Sequence, residues 1–160
     1  IMRSILFVLV IALIFGCSCA IKSPQSLTRL QDSDPSAGKY PFVRHFVSFR
    51  FLPNVTAEEQ DEVMDRFLNL FWECVNPDTG LPYIVSLDAG NANSPEGQDQ
   101  GMQQGYIVTF RNIQDRNYYV GQPFYSPYDP HHDAFKQFVG PLLQPTDGVF
   151  VFDYSAILPY

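Results

Sequence analysis

The stretch Val43-Arg-His-Phe-Val-Ser-Phe-Arg-Phe51 decides the fold. Its side chains alternate: Val43, His45, Val47, Phe49 and Phe51 fall on one face of an extended chain, and Arg44, Phe46, Ser48 and Arg50 on the other. A strand with one largely apolar face needs a covering layer, and the following residues supply it. Pro53 and Asn54 break the strand. Thr56-x-x-Glu59 is a capping box, in which each residue's side chain satisfies an otherwise unpaired N–H of a first helical turn. Val63, Phe67, Leu70 and Phe71 then recur at helical spacing while Glu58, Glu62, Asp65 and Arg66 face away, which predicts a helix packed on the strand.

Further along, Asn76-Pro77-Asp78-Thr79-Gly80 is a turn cluster, and Tyr83 to Leu87 reads as a second strand closed by Gly90. A polar loop, NANSPEGQDQG, leads to a third strand, Tyr106 to Phe110, rich in β-branched and aromatic residues. Asn112 caps a short helix running through Tyr119 and stopped by Gly121. The loop Gly121 to Tyr128 (GQPFYSPY) cannot be a helix interior, because Pro123 and Pro127 fix φ and lack N–H donors. It reads either as a lid or as a packed surface loop. Asp129 takes the N-cap of a third helix with Pro130 at its first position, where a missing N–H costs nothing. Phe135, Phe138, Val139, Leu142 and Leu143 form that helix's apolar stripe, with Gly140-Pro141 expected to kink or shorten it. Gly148 to Tyr154 is the last strand.

The order strand, helix, two strands, two helices, strand is the α+β pattern of a split βαβ sheet with helices on one face. The second face carries Phe46 and apolar residues of the last strand, which points to a homodimer in which two sheets close on each other.

Composition narrows the function. The chain has 160 residues, 46% of them hydrophobic, enough for one ordinary domain. Ten basic against seventeen acidic residues give a formal charge of −7, which argues against a nucleic-acid partner because phosphate binding needs a basic footprint. Fourteen Phe and nine Tyr exclude wholesale disorder. Arg3 precedes an apolar run, Ile5 to Phe15, too short to span a membrane, and Ser18-x-Ala20 suits cleavage. Residues 1–20 are therefore read as a secretory signal, 21–39 as a flexible leader and 40–160 as the domain. An uncleaved anchor and a lipoprotein signal ending at Cys17 are the other readings. Cleavage makes the product extracellular, without a membrane partner, and leaves Cys74 as its one cysteine; beside Phe71, Trp72 and Val75 that thiol is expected to be buried. Neither a structural zinc nor another metal site is expected, because cysteine pairs and His-x-His or i, i+4 His spacings are missing. Asn54-Val55-Thr56 is an N-glycosylation sequon, relevant only in a secreted protein.

Four pieces carry a family resemblance: VRHFVSFRF with TAEEQDEVMDRF, the GNANSPEG loop, the DPHHDAF segment and the closing VFVFDY. Together they resemble the stress-responsive A/B barrel family, also called dimeric α/β barrel proteins. The resemblance implies a ferredoxin-like sheet and a homodimer forming a closed barrel. That family includes plant proteins without an assigned reaction and a polyketide cyclase, so membership does not establish catalysis. In the cyclase a Tyr and a His of a Y-x-x-H-P-x-H segment act on substrate, supported by the Asp of the FDY strand. His132 matches that second His, Asp153 that Asp, and His45 a strand-one His of the same pocket. Val63, Met64 and Phe67 match pocket-lining positions of the first helix. Asp129 replaces the first His of the segment, Ser126 stands where strict spacing puts the catalytic Tyr, and Gln104 stands in place of a His before strand three.

These matches define the candidate site. A carboxylate bonded to one imidazole nitrogen fixes the tautomer and leaves the other free to move a proton, so His132 with Asp153 is the expected dyad, with His45 nearby. The alternatives are that His132 and His45 are hydrogen-bonded core residues, or that Asp153 caps the last helix. Candidate ligand contacts are Val47, Phe49, Val63, Met64, Phe67 and Phe135, with Tyr119, Tyr125 and Tyr128 as candidate phenols. No cofactor is expected: phosphate-loop and dinucleotide fingerprints are lacking, as is a Ser-His-Asp nucleophile motif. Two functions stay open. One is a secreted protein with an apolar pocket for a small hydrophobic or aromatic ligand. The other is a cofactor-free, cyclase-like enzyme with His132 as general base.

Overall fold

A computed structural model describes residues 42–157. The expected signal segment and leader lie outside the described residues. Strand β1 (Val43–Phe49) is followed by α1 (Ala57–Glu73), β2 (Ile84–Asn91), β3 (Gln104–Phe110), α2 (Ile113–Val120), α3 (Pro130–Val139) and β4 (Val149–Ser155). The four strands form one antiparallel sheet in the order β2-β3-β1-β4, a ferredoxin-like α+β arrangement.

Local chemistry sets the helix starts. The Thr56 box closes as expected, with Glu59 N–H donating to Thr56 Oγ1 at 3.2 Å and Thr56 N–H to Glu59 Oε2 at 2.8 Å. Asn112 Oδ1 accepts from Asp115 N–H at 2.8 Å. Asp129 Oδ1 accepts from the N–H groups of His131 and His132 at 2.9 and 3.1 Å, with Pro130 at the first helical position. Asp129 also takes the Tyr83 hydroxyl at 2.6 Å, so this buried carboxylate is fully engaged. After α3 the chain tightens into a 3-10 turn over Gly140–Leu142, consistent with the expected kink at Gly140-Pro141.

Two strands are longer than the sequence pattern indicates. β3 begins at Gln104, and β2 runs on through Gly90 to Asn91 instead of closing there, because Gly90 pairs with Gly105 inside the ladder. Gly90 is thus a strand residue without a side chain, not a terminator.

The core lies between the helices and one sheet face. Val43, Val47 and Phe49 of β1 and Tyr106, Val108 and Phe110 of β3 meet Val63, Phe67 and Leu70 of α1 and Phe135 and Val139 of α3. Phe67 stacks on Tyr106 with centroids 4.0 Å apart and meets Phe135 edge-on at 5.1 Å. Cys74 is buried, as its neighbours predicted, and burial pushes its thiol far above the ordinary value, which removes nucleophilic character. Among the described residues no helix is long and apolar enough to cross a membrane. Among the described residues, no helix covers the opposite sheet face. There β4 exposes Phe150, Phe152 and Tyr154, with Phe152 57% exposed, and Phe46 of β1 touches Phe150 edge-on at 6.1 Å.

Candidate functional site

The three expected catalytic residues, His45, His132 and Asp153, all lie on the helix side of the sheet, but their pairing differs from the expectation. Antiparallel register puts Asp153 of β4 directly opposite His45 of β1. Their side chains meet with Nδ1 of His45 and Oδ1 of Asp153 2.6 Å apart. Oδ2 of Asp153 is taken by the Arg116 guanidinium, which reaches over from α2. Burial works to raise the Asp153 pKa, yet the bonds and charges of His45 and Arg116 outweigh it and hold the carboxyl below its usual 3.8. Asp153 is therefore a carboxylate with both oxygens engaged, and His45 Nδ1–H donates to it.

His132 lies elsewhere in the network. The first turn of α3 aims its ring at the C-terminal end of α2, where Nδ1–H donates to the Tyr119 carbonyl at 2.6 Å. The imidazole also stacks on the Tyr119 ring, centroids 3.7 Å apart and planes within 13°. Burial, reinforced by the charge of Lys136, lowers its pKa to about 3 despite the opposing bond to the Tyr119 carbonyl. His132 is thus a neutral, hydrogen-bonded core imidazole. The expected His132–Asp153 dyad is not formed: strand register commits Asp153 to His45, and α3 commits His132 to Tyr119. Nor does Asp153 cap the last helix, a role that belongs to Asp129.

The expected ligand contacts are also placed differently. Val47, Phe49, Val63, Phe67 and Phe135 are buried and pack on one another, so they fill the space between helices and sheet. Met64 is half-buried against that core. Phe135 is the only candidate residue that lines one of the described cavities, a groove of about 150 Å³ between α1 and α3. Tyr119 is fully buried, 5.8 Å from the His45 ring between centroids, and its hydroxyl has no hydrogen-bond partner among the described residues. The aromatic loop folds back on α2: the N–H groups of Phe124 and Tyr125 bond the Gly121 carbonyl, and exposed Tyr125 packs edge-on against Tyr118. Tyr128 donates its hydroxyl to Asp133, a bond that helps push its pKa, already raised by burial, up to about 12. Gln104 is buried and satisfied, accepting the Tyr106 hydroxyl and donating to the Gln60 carbonyl. Exposed His131 lies 3.8 Å from Glu73. Among the described residues, no group of three or more His, Cys, Asp or Glu side chains is arranged to hold a metal.

A larger hollow, about 630 Å³, opens on the helix-free face. Phe46, Ile107 and Phe150 supply apolar walls, Asp88 and Asp99 the ionisable groups, and the loop Ala92 to Met102 overhangs it. The paired Gly90 and Gly105 explain its depth, since neither strand projects a side chain there; a Cβ on Gly105 would already touch the Phe46 ring at 3.5 Å. Sequence reasoning placed Phe46 on this face and noted the polar loop, but a hollow made by two facing glycines depends on register and was missed, as was the Arg116 contact.

A ferredoxin-like four-stranded antiparallel sheet with its helices on one face defines a class, and comparison places the chain within it. It belongs to the stress-responsive A/B barrel domain family, whose model matches residues 43–156. No curated protein matches the chain by sequence. Among solved structures, a hydroxynitrile lyase from Passiflora edulis superposes with a TM-score of 0.57 at 19% identity, covering 76% of this chain and 98% of that one. A protein from Arabidopsis thaliana gives 0.57 at 24% identity, covering 74% and 98%. A dimeric ferredoxin-like protein of unknown function from Jannaschia gives 0.55 at 18% identity, covering 72% and 99%. These likenesses bear on the fold.

Proposed function

We propose that the protein is a secreted homodimer that holds a small hydrophobic or aromatic ligand, and that the ligand sits in the hollow of the helix-free face. The observation that carries this reading is the hollow of about 630 Å³ walled by Phe46, Ile107 and Phe150, on the same face as the exposed aromatic residues of β4. Apolar area of that kind is rarely left in water by a monomer, and a second sheet closing over it would turn the hollow into an enclosed site. The neighbours described as dimeric agree with such an assembly. Among the described residues that line the hollow are Asp88 and Asp99 and no Lys or Arg, so a neutral or cationic ligand suits it better than an anion. Binding of a neutral solvatochromic naphthalene dye tests the site. Ile107→Trp, which fills the hollow, should abolish the emission change while leaving the far-UV spectrum intact; unchanged dye binding would refute the location.

The enzymatic alternative is favoured by one observation, the His45–Asp153 bond. A carboxylate-oriented imidazole is a suitable proton carrier, whereas His132, with a pKa of about 3, is a poor base at neutral pH. In that reading His45 takes the general-base role, with Tyr119 as the neighbouring phenol. Turnover of a planar aromatic polyketide-type substrate that vanishes in His45→Gln but survives in His132→Gln would support it.

A further inference from the structure

We infer that Asn54 is an N-glycosylation site of the secreted protein. The inference rests on the secretion reading and goes beyond it. Asn54-Val55-Thr56 is the chain's sole Asn-x-Ser/Thr sequence with a non-proline middle residue. The fold places it on an exposed turn. Leu52 to Val55 form a tight turn, closed by the Val55 N–H donating to the Leu52 carbonyl at 3.1 Å, with Pro53 and Asn54 at its tip. Asn54 is exposed, its carboxamide makes no hydrogen bond to the described residues, and it lines none of the described cavities. The turn leads from the end of the sheet into the helix layer, so a glycan there leaves the helix-free face open for pairing.

The reaction needs one co-reactant, a lipid-pyrophosphate-linked oligosaccharide. A bond forms between Asn54 Nδ2 and C1 of the first sugar, the C1–oxygen bond to the pyrophosphate breaks, and the carboxamide gives up one proton as the lipid pyrophosphate departs. Thr56 has two successive uses. Its hydroxyl completes the sequon in the unfolded chain, and in the folded protein the same oxygen accepts the Glu59 N–H and starts α1.

The test is expression of the full chain in a secreting eukaryotic host, followed by mass spectrometry and N-terminal sequencing of protein from the medium. Expected is a glycan removed by peptide N-glycosidase with conversion of Asn54 to aspartate, absent in Asn54→Gln and retained in Thr56→Ser, which keeps both the sequon and the cap hydroxyl. Protein in the medium with a cleaved N-terminus and an unmodified Asn54 would overturn this inference while leaving secretion standing. Cell-retained chain with an uncleaved N-terminus and an unmodified Asn54 would overturn both.

Discussion

His45 and Asp153 sit directly opposite each other on antiparallel β1 and β4, and their side chains join on the helix-covered face at 2.6 Å. Arg116 completes the arrangement from α2, so three elements distant in sequence converge on one carboxylate. β4 is an edge strand with most of its side chains exposed, and this network is its polar tie to the helix layer.

Breaking that tie has a defined cost and a defined pH dependence. Asp153→Ala leaves a buried imidazole and a guanidinium without their shared acceptor and should destabilise the fold by about 1–3 kcal/mol. The folded-state pKa of Asp153 is depressed, so its contribution is present above the unfolded value and lost as pH falls below about 3.8. Urea denaturation of wild type and Asp153→Asn at pH 7 and pH 3 checks this. The gap between them should narrow in acid, and a gap that widens would contradict the assignment.

His132 acts in a higher window. Its folded pKa is lowered from 6.5 to about 3, so between those values the unfolded chain binds a proton that the native protein does not. Stability should therefore fall as pH drops below about 6.5, with a limiting slope of about 1.4 kcal/mol per pH unit. His132→Gln keeps an N–H donor for the Tyr119 carbonyl but cannot ionise, and it should flatten the curve between pH 6 and 4. In NMR spectra the His132 ring should show no titration from pH 8 to 5; a midpoint near 6.5 would disprove its burial as a neutral group.

What was legible in the sequence is what short-range chemistry specifies. Thr56, Asn112 and Asp129-Pro130 mark helix starts because each cap satisfies donors within three residues of itself. Alternation in β1 marked the covered face because the pleat period is local. The partner of Asp153 was not legible: register is set by the whole sheet, and nothing near Asp153 in sequence says that His45, 108 residues away, lies opposite it. Arg116, the one basic residue of α2, was a usable signal, since a half-buried carboxylate needs a counter-charge. The packed core in place of a helix-side pocket was equally illegible, because apolar residues on an inner face read alike whether they line a space or fill it.

Gly121 combines backbone strain with steric clash. It adopts φ +86°, and a Cβ there would stand 2.5 Å from the Tyr128 ring, whereas Gly80, at φ +68°, has open space around it. Gly80→Ala should cost about 1 kcal/mol for the left-handed backbone alone. Gly121, at ψ −117°, lies outside the left-handed helical region in a conformation open essentially to glycine, and Gly121→Ala must also displace Tyr128 from its contacts with Asp133 and Lys136, so its loss should be larger, about 2–4 kcal/mol. Thermal melts of the two variants side by side give the comparison, and equal losses would mean that the loop yields freely.

The assembly prediction turns on Phe152. It lies on the helix-free face opposite Phe46 in the β1–β4 ladder and is 57% exposed, so a charge placed there disturbs little within one chain. In a sheet-to-sheet dimer with isologous symmetry the same residue is buried twice, once from each copy, and the unpaired charge is desolvated both times. Phe152→Asp should therefore convert a dimer to a monomer at micromolar concentration in light scattering while leaving the far-UV spectrum unchanged. The mirror-position control is Val151→Asp: Val151 pairs with Val47 in the ladder and points to the helix side of the edge strand, so it should weaken dimerisation far less. A monomeric wild type, or equal loss of dimer in both variants, would remove the helix-free face as the interface and with it the argument that a second copy encloses the hollow.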